Sequence, residues 1–111
     1  MYYQDAVIRE LKDLNIVSDN LIRNEGLKIY TSLDINAQSA LENSIKVNLE
    51  DNKNMQVSSV MINPKNGEII ALAGGRDYSK SQYNRAVQSK RQVGSTMKPI
   101  LYYAALENNL T

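Results

Sequence analysis

Ser95 and Lys98 are the residues with which this sequence could do covalent chemistry. A serine hydroxyl is a poor nucleophile until a base takes its proton, and a neutral lysine amine three residues on is such a base. The surrounding stretch is Arg91-Gln92-Val93-Gly94-Ser95-Thr96-Met97-Lys98-Pro99, followed by a helix-compatible run from Ile100 to Asn109. If Ser95 opens that helix, the spacing predicts Ser95 and Lys98 on one face, a turn apart. The free N–H groups and partial positive charge of a helix N-terminus favour a developing oxyanion. Spacing alone carries little, however. Ten serines and eight lysines scattered over 111 residues produce about 0.7 such pairs by chance, and one occurs. On spacing alone the plainer reading is that Ser95 caps a helix and Lys98 is solvated.

Composition narrows the chemistry. With no histidine and no cysteine, the chain cannot supply a Ser-His-Asp triad, a cysteine nucleophile, a disulfide or the usual zinc sites, and it implies no cofactor or metal. Lysine is the natural remaining base. A net charge of +1 gives no reason to expect nucleic acid or an anionic membrane as partner. A hydrophobic fraction of 42% and a charged fraction of 23% fit one soluble domain or part of one. No apolar run approaches the length that spans a bilayer.

The elements that must position Ser95 follow from local patterns. Tyr3, Ala6, Val7, Leu11 and Leu14 form a helical stripe to about Asn15. Ser18-Asp19-Asn20 reads as a short helix start, with Gly26 a stop. Leu27 to Leu33 is alternating and β-branched, which predicts a strand. Asp34 should cap a second helix carrying Ala37, Leu41, Ile45 and Leu49, and Asp51 to Asn54 is a polar connection. Val57–Ile62 and Glu68–Ala73 flank Asn63-Pro64-Lys65-Asn66-Gly67, the pattern of a hairpin whose turn ends on a left-handed glycine. Unbroken apolar character from Ile69 to Ala73 predicts a strand covered on both faces. Arg76 to Val93 is a polar, tyrosine-bearing loop of the length that is often functional. The predicted class is α+β, in the order helix–strand–helix–β-hairpin–helix.

These stretches, taken together, resemble a known family. Val60 to Tyr78, including Asn63-Pro64-Lys65-Asn66-Gly67 and Ala73-Gly74-Gly75-Arg76-Asp77-Tyr78, is similar to the opening hairpin of the transpeptidase domain in class A penicillin-binding proteins. Ser81 to Ala86, then Arg91 to Pro99, resembles the segment carrying that family's nucleophile. Gly26 to Asp34 is similar to the linker strand before the domain. The likeness is densest from Val57 to Asn109. It implies a linker over 1–54 and, over 55–111, the N-terminal part of a transpeptidase domain with the β-lactamase/transpeptidase-like fold.

The implied activity is that of a serine-type D-alanyl-D-alanine transpeptidase, which cross-links peptidoglycan stem peptides and is acylated by β-lactams. Ser95 would be the nucleophile and Lys98 the general base or part of the proton relay, a lysine acting as base only when neutral. The Ser95 backbone N–H would be one oxyanion donor, and Pro99 suits the first turn of a helix, where an N–H has no partner to lose. The resemblance also implies stem peptides or their lipid-linked precursor as partners. It implies a membrane anchor and a glycosyltransferase domain elsewhere in the protein, and a location on the extracellular face of the bacterial cytoplasmic membrane.

The family's Ser-x-Asn and Lys-Thr/Ser-Gly motifs lie downstream of the nucleophile and do not occur after Ser95 here. Ser18-Asp19-Asn20 and Lys65-Asn66-Gly67 imitate them, but upstream, in a helix start and a hairpin turn. The expectation is therefore a truncated piece, inactive by itself, whose exposed strand edges and apolar helix face favour dimerisation or strand exchange. Arg85 and Arg91 could face an anionic substrate group but read first as solvated or structural, Tyr78 and Tyr83 as core or groove residues, and Tyr102 and Tyr103 as packed. Two alternatives stay open: a penicillin-recognising sensor, and a non-catalytic scaffold in which Ser95 is only a helix cap.

Overall fold

Strand β2, Ile69–Ala73, is the element on which the rest is built. In the computed structural model, which describes residues 1–15, 18–24 and 26–109, it pairs antiparallel with β1, Ser59–Ile62, in a two-stranded sheet. The connection is the expected one. Gly67 lies at φ 73°, and its N–H donates to the Asn63 carbonyl at 2.8 Å. The Asn63 side chain holds the turn by accepting from the Lys65 N–H at 3.0 Å. Met61 pairs with Ala71 but Ile62 with Ile69, so Ile70 is the extra residue of a bulge. Ala71, Leu72 and Ala73 are buried, whereas Ile69 is 38% exposed. The strand is covered over its C-terminal part only.

Helix α1, Tyr2–Leu14, packs on β2 through buried Tyr2 and Tyr3. It stops at Asn15, whose left-handed φ of 52° lets its N–H turn back to the Lys12 carbonyl. Helix α2, Asp19–Asn24, starts where the Ser18 hydroxyl accepts from the Leu21 N–H at 3.4 Å. Helix α3, Ile35–Asn48, begins as the sequence predicts, with Asp34 Oδ1 accepting from the Ala37 N–H at 3.1 Å. Its other end is tied down by Arg76, whose guanidinium donates to the carbonyls of Leu49 at 2.8 Å and Asn52 at 2.6 Å. A cation at a helix C-terminus satisfies orphan carbonyls and complements the dipole.

The strand expected over Leu27–Leu33 is not formed. A strand needs a partner edge, and the free edge of β2 is already occupied. The Asp34 N–H donates to the bulge carbonyl of Ile70 at 2.9 Å. The Gln38 amide then takes both main-chain groups of Leu72, accepting from its N–H at 2.8 Å and donating to its carbonyl at 2.9 Å. One buried side chain thus replaces a ladder rung, and Tyr3 Oη takes the Ile69 carbonyl at 2.7 Å. Residues 29–32 instead wall a groove of about 400 Å³ with α1 and β2. Tyr30 is 93% exposed.

The chain ends in a 3-10 helix, Gly94–Met97, that runs into α4, Lys98–Glu107. No residue of α4 is buried, so Tyr102 and Tyr103, expected to pack, are exposed. The radius of gyration, 17.2 Å, exceeds the roughly 13 Å of a compact chain of this length. That excess accords with a projecting arm. No helix among the described residues is long and apolar enough to cross a membrane.

Candidate active site

Ser95 lies within the 3-10 helix and Lys98 is the first residue of α4. The α-helix therefore starts three residues later than the sequence alone suggests. In a 3-10 helix residues three apart stand in line, so the serine and the lysine are one short turn apart. Gly94, at φ 53°, provides the left-handed entry that a side chain would resist. Thr96 closes the turn, its N–H and its hydroxyl both donating to the Val93 carbonyl. The Lys98 N–H donates to the Ser95 carbonyl. Pro99 sits in the first turn of α4, where its missing N–H costs nothing.

Ser95 is not a helix cap. The cap positions of the two helices fall on Val93 and Met97, and neither makes a side-chain capping bond. Ser95 therefore makes no capping bond here. The Ser95 N–H, in the first turn, has no intrahelical acceptor. Ser95, Lys98 and every neighbour from Arg91 to Ala104 are exposed, so these residues by themselves form an open platform and not a groove. The imitation motifs sit where the sequence places them, at the start of α2 and in the hairpin turn.

The loop leading to Ser95 is anchored by residues that sequence reasoning passed over. Asn84, 4% exposed, accepts from the Ala86 N–H through Oδ1 at 3.1 Å and exchanges two bonds with Gln88. Its N–H donates to Gln88 Oε1 at 2.9 Å and its carbonyl accepts from the Gln88 N–H at 2.8 Å. The next residue, Arg85, donates its N–H to the Gly74 carbonyl at the end of β2, at 2.9 Å. A Cβ on Gly74 would stand 2.5 Å from the Asn84 Cα, and one on Gly75 would meet Tyr2 Oη. The signal in the sequence is the glycine pair Gly74-Gly75 directly after the apolar strand. Of the roles open to Arg85, the structure shows a structural one, its side chain also reaching the Gly74 carbonyl at 3.4 Å. Tyr83, 47% exposed, lies with its ring 5.4 Å from the Arg85 guanidinium carbon.

Tyr78, half-buried, packs edge-on against Tyr2 with ring centres 5.0 Å apart and donates to Asp5 Oδ2 at 2.6 Å. Tyr2 Oη donates to the Ser81 carbonyl. The hydrogen bond to Asp5 holds the Tyr78 phenol above its ordinary value, because losing the proton would set two negative oxygens together. Burial does the same to Tyr2 and Tyr3. Asp77 is shifted down by the hydroxyl and N–H of Ser79, at 2.6 Å and 3.0 Å.

Comparison with known proteins gives the family. Residues 57–111 match the penicillin binding protein transpeptidase domain. The chain is 38% identical over 110 residues to penicillin-binding protein 2D of Bacillus subtilis, covering 99% of this chain and 16% of that protein. It is 56% identical over 52 residues to penicillin-binding protein 1A of Escherichia coli, covering 47% of this chain and 6% of that one. With penicillin-binding protein 1A/1B of Bacillus subtilis it shares 36% identity over 108 residues, 96% of this chain and 12% of the relative. The chain thus spans a small part of each relative's length. No solved structure matches it. Through residues 57–111, with the preceding segment also matched in relatives that include class A proteins, the chain belongs to the penicillin-binding protein transpeptidase family.

Proposed function

We propose that this chain is part of a class A peptidoglycan D,D-transpeptidase in which Ser95 is the acylated nucleophile and Lys98 its base. The observation that carries the reading is that Ser95 precedes Lys98 by one 3-10 turn and is free of capping duty. Ser95 Oγ attacks the carbonyl of the penultimate D-alanine of a stem peptide. The C–O bond forms, the C–N bond to the terminal D-alanine breaks, and the Oγ proton passes by way of the Lys98 amine to the departing nitrogen. An amine of a second stem peptide then attacks the ester, forms the cross-link and returns a proton to Ser95. A β-lactam is attacked in the same way, but its leaving nitrogen stays tethered by the opened ring.

Residues 55–111 then form the first part of the transpeptidase domain, at the outer face of the cytoplasmic membrane, and residues 1–54 the linker docked on it. The 111 residues alone are inactive in this reading, because the exposed platform around Ser95 neither excludes water nor supplies a groove for substrate. Uncovered α4, with Leu101 at 64% and Leu106 at 68% exposure, makes the isolated chain prone to self-association.

Intact-mass measurement after incubating the whole protein with benzylpenicillin tests the assignment. One covalent adduct per chain is expected, abolished by Ser95→Ala. No adduct, or one that survives Ser95→Ala, overturns it. Stoichiometric labelling of the 111 residues alone would refute the inactivity of the isolated chain.

A further inference from the structure

The stretch from Gly75 to Val93 joins β2 to the serine turn without forming a helix or strand. A tether of that length would leave Ser95 poorly located. Its middle, however, is fixed. The Asn84–Gln88 exchange of hydrogen bonds closes a local ring, the Ser89 hydroxyl adds a bond to the Arg85 carbonyl, and the ring is held to the end of β2 by the Arg85 N–H on the Gly74 carbonyl. Only Lys90 to Val93, all exposed, then separate the anchor from Gly94. Packing does not account for an asparagine here. Its Nδ2 is buried with no partner among the described residues, a defect that a small apolar side chain would avoid. What the asparagine brings is the Oδ1 that folds the chain back onto the Ala86 N–H.

We propose that Asn84 is a positioning residue for acyl transfer at Ser95: by folding the chain onto the Ala86 N–H, its Oδ1 presents the Arg85 N–H to the Gly74 carbonyl and so sets the origin of the short tether that carries the serine. This rests on the reading of Ser95 as nucleophile. Chain statistics give the scale: shortening the free tether from Gly75–Val93 to Lys90–Val93 raises the probability of a given end position on the order of tenfold. Loss of placement lowers the chemical step more than substrate binding.

The test is rapid-mixing acylation of the whole protein by benzylpenicillin, resolving the binding constant from the acylation rate constant and titrating the reactive fraction. Asn84→Ala should lower the acylation rate constant on the order of tenfold in the molecules that react, with binding little changed. Asn84→Ser, which keeps an oxygen for the Ala86 N–H, should recover part of the loss. A wild-type rate constant in Asn84→Ala overturns the proposal, whether the reactive fraction is full or reduced, since a reduced fraction alone means a purely structural role. If Asn84→Ala does not fold, Gln88→Ala opens the same clasp from its rim, and a wild-type rate constant there overturns the proposal equally. Wild-type protein that forms no adduct, or an adduct that survives Ser95→Ala, rejects the nucleophile reading itself and the proposal with it.

Discussion

The face where α1 and α3 meet β2 and the arm formed by the 3-10 helix and α4 are built on opposite terms. At the face, apolar side chains are buried and main-chain groups on the edge of β2 are matched by Asp34, Gln38 and Tyr3. On the arm, the side chains are as apolar, yet none in α4 is buried. A helix that is apolar all round is normally a core helix. The difference teaches that the candidate chemistry sits on the element these residues stabilise least, while local stability is concentrated around β2.

Leu72→Ala, at 2% exposure, should make the largest difference between the two regions, costing about 2–5 kcal/mol in denaturant unfolding. Gln38→Ala should come next. It strands the N–H and carbonyl of Leu72, and a stranded buried group costs about 1–3 kcal/mol. Asp34→Ala removes the α3 cap, worth about 1 kcal/mol, and a cost near zero by the same measurement would mean that the Ile70 bond alone pins the helix start.

Alkaline pH should loosen the α1 contact. Tyr2, Tyr3 and Tyr78 hold their protons more tightly when folded than at the ordinary value of 10.0. Stability from these groups is complete below that value and is lost as pH rises through the higher folded ones. The melting temperature should therefore fall above about pH 10, and less steeply in Tyr78→Phe; an equal fall in both would remove Tyr78 from the account. The smallest effect belongs to the arm. Leu101→Ala should change unfolding free energy by less than about 0.5 kcal/mol, and a cost near that of Leu72→Ala would end the distinction between the regions.

The features legible in the sequence are those decided within a few residues. Asp34 as a cap, Ser18 as a helix start, and the Asn63–Gly67 turn each depend on bonds that span two to four positions. The single turn between Ser95 and Lys98, closed by the Lys98 N–H on the Ser95 carbonyl, is of the same kind. The strand expected over Leu27–Leu33 failed for the opposite reason. Alternation expresses a preference for an extended backbone, but a ladder requires a free partner edge, and Gln38 had taken it from 34 residues away in sequence. Tyr102 and Tyr103 were expected to pack, and are exposed because no other element comes over α4 among the described residues.

By itself, then, the sequence determined the local turns, caps and helices, the exclusion of histidine and cysteine chemistry, and the likeness that family comparison bears out. Tertiary structure alone decided that an amide side chain closes the edge of β2 and that the Arg85 N–H clasps the Gly74 carbonyl ahead of the serine tether. It also left the serine turn and α4 exposed. The physical reason is range: a cap or a turn is fixed by neighbours in the chain, whereas an edge and a clasp are fixed by groups distant in sequence.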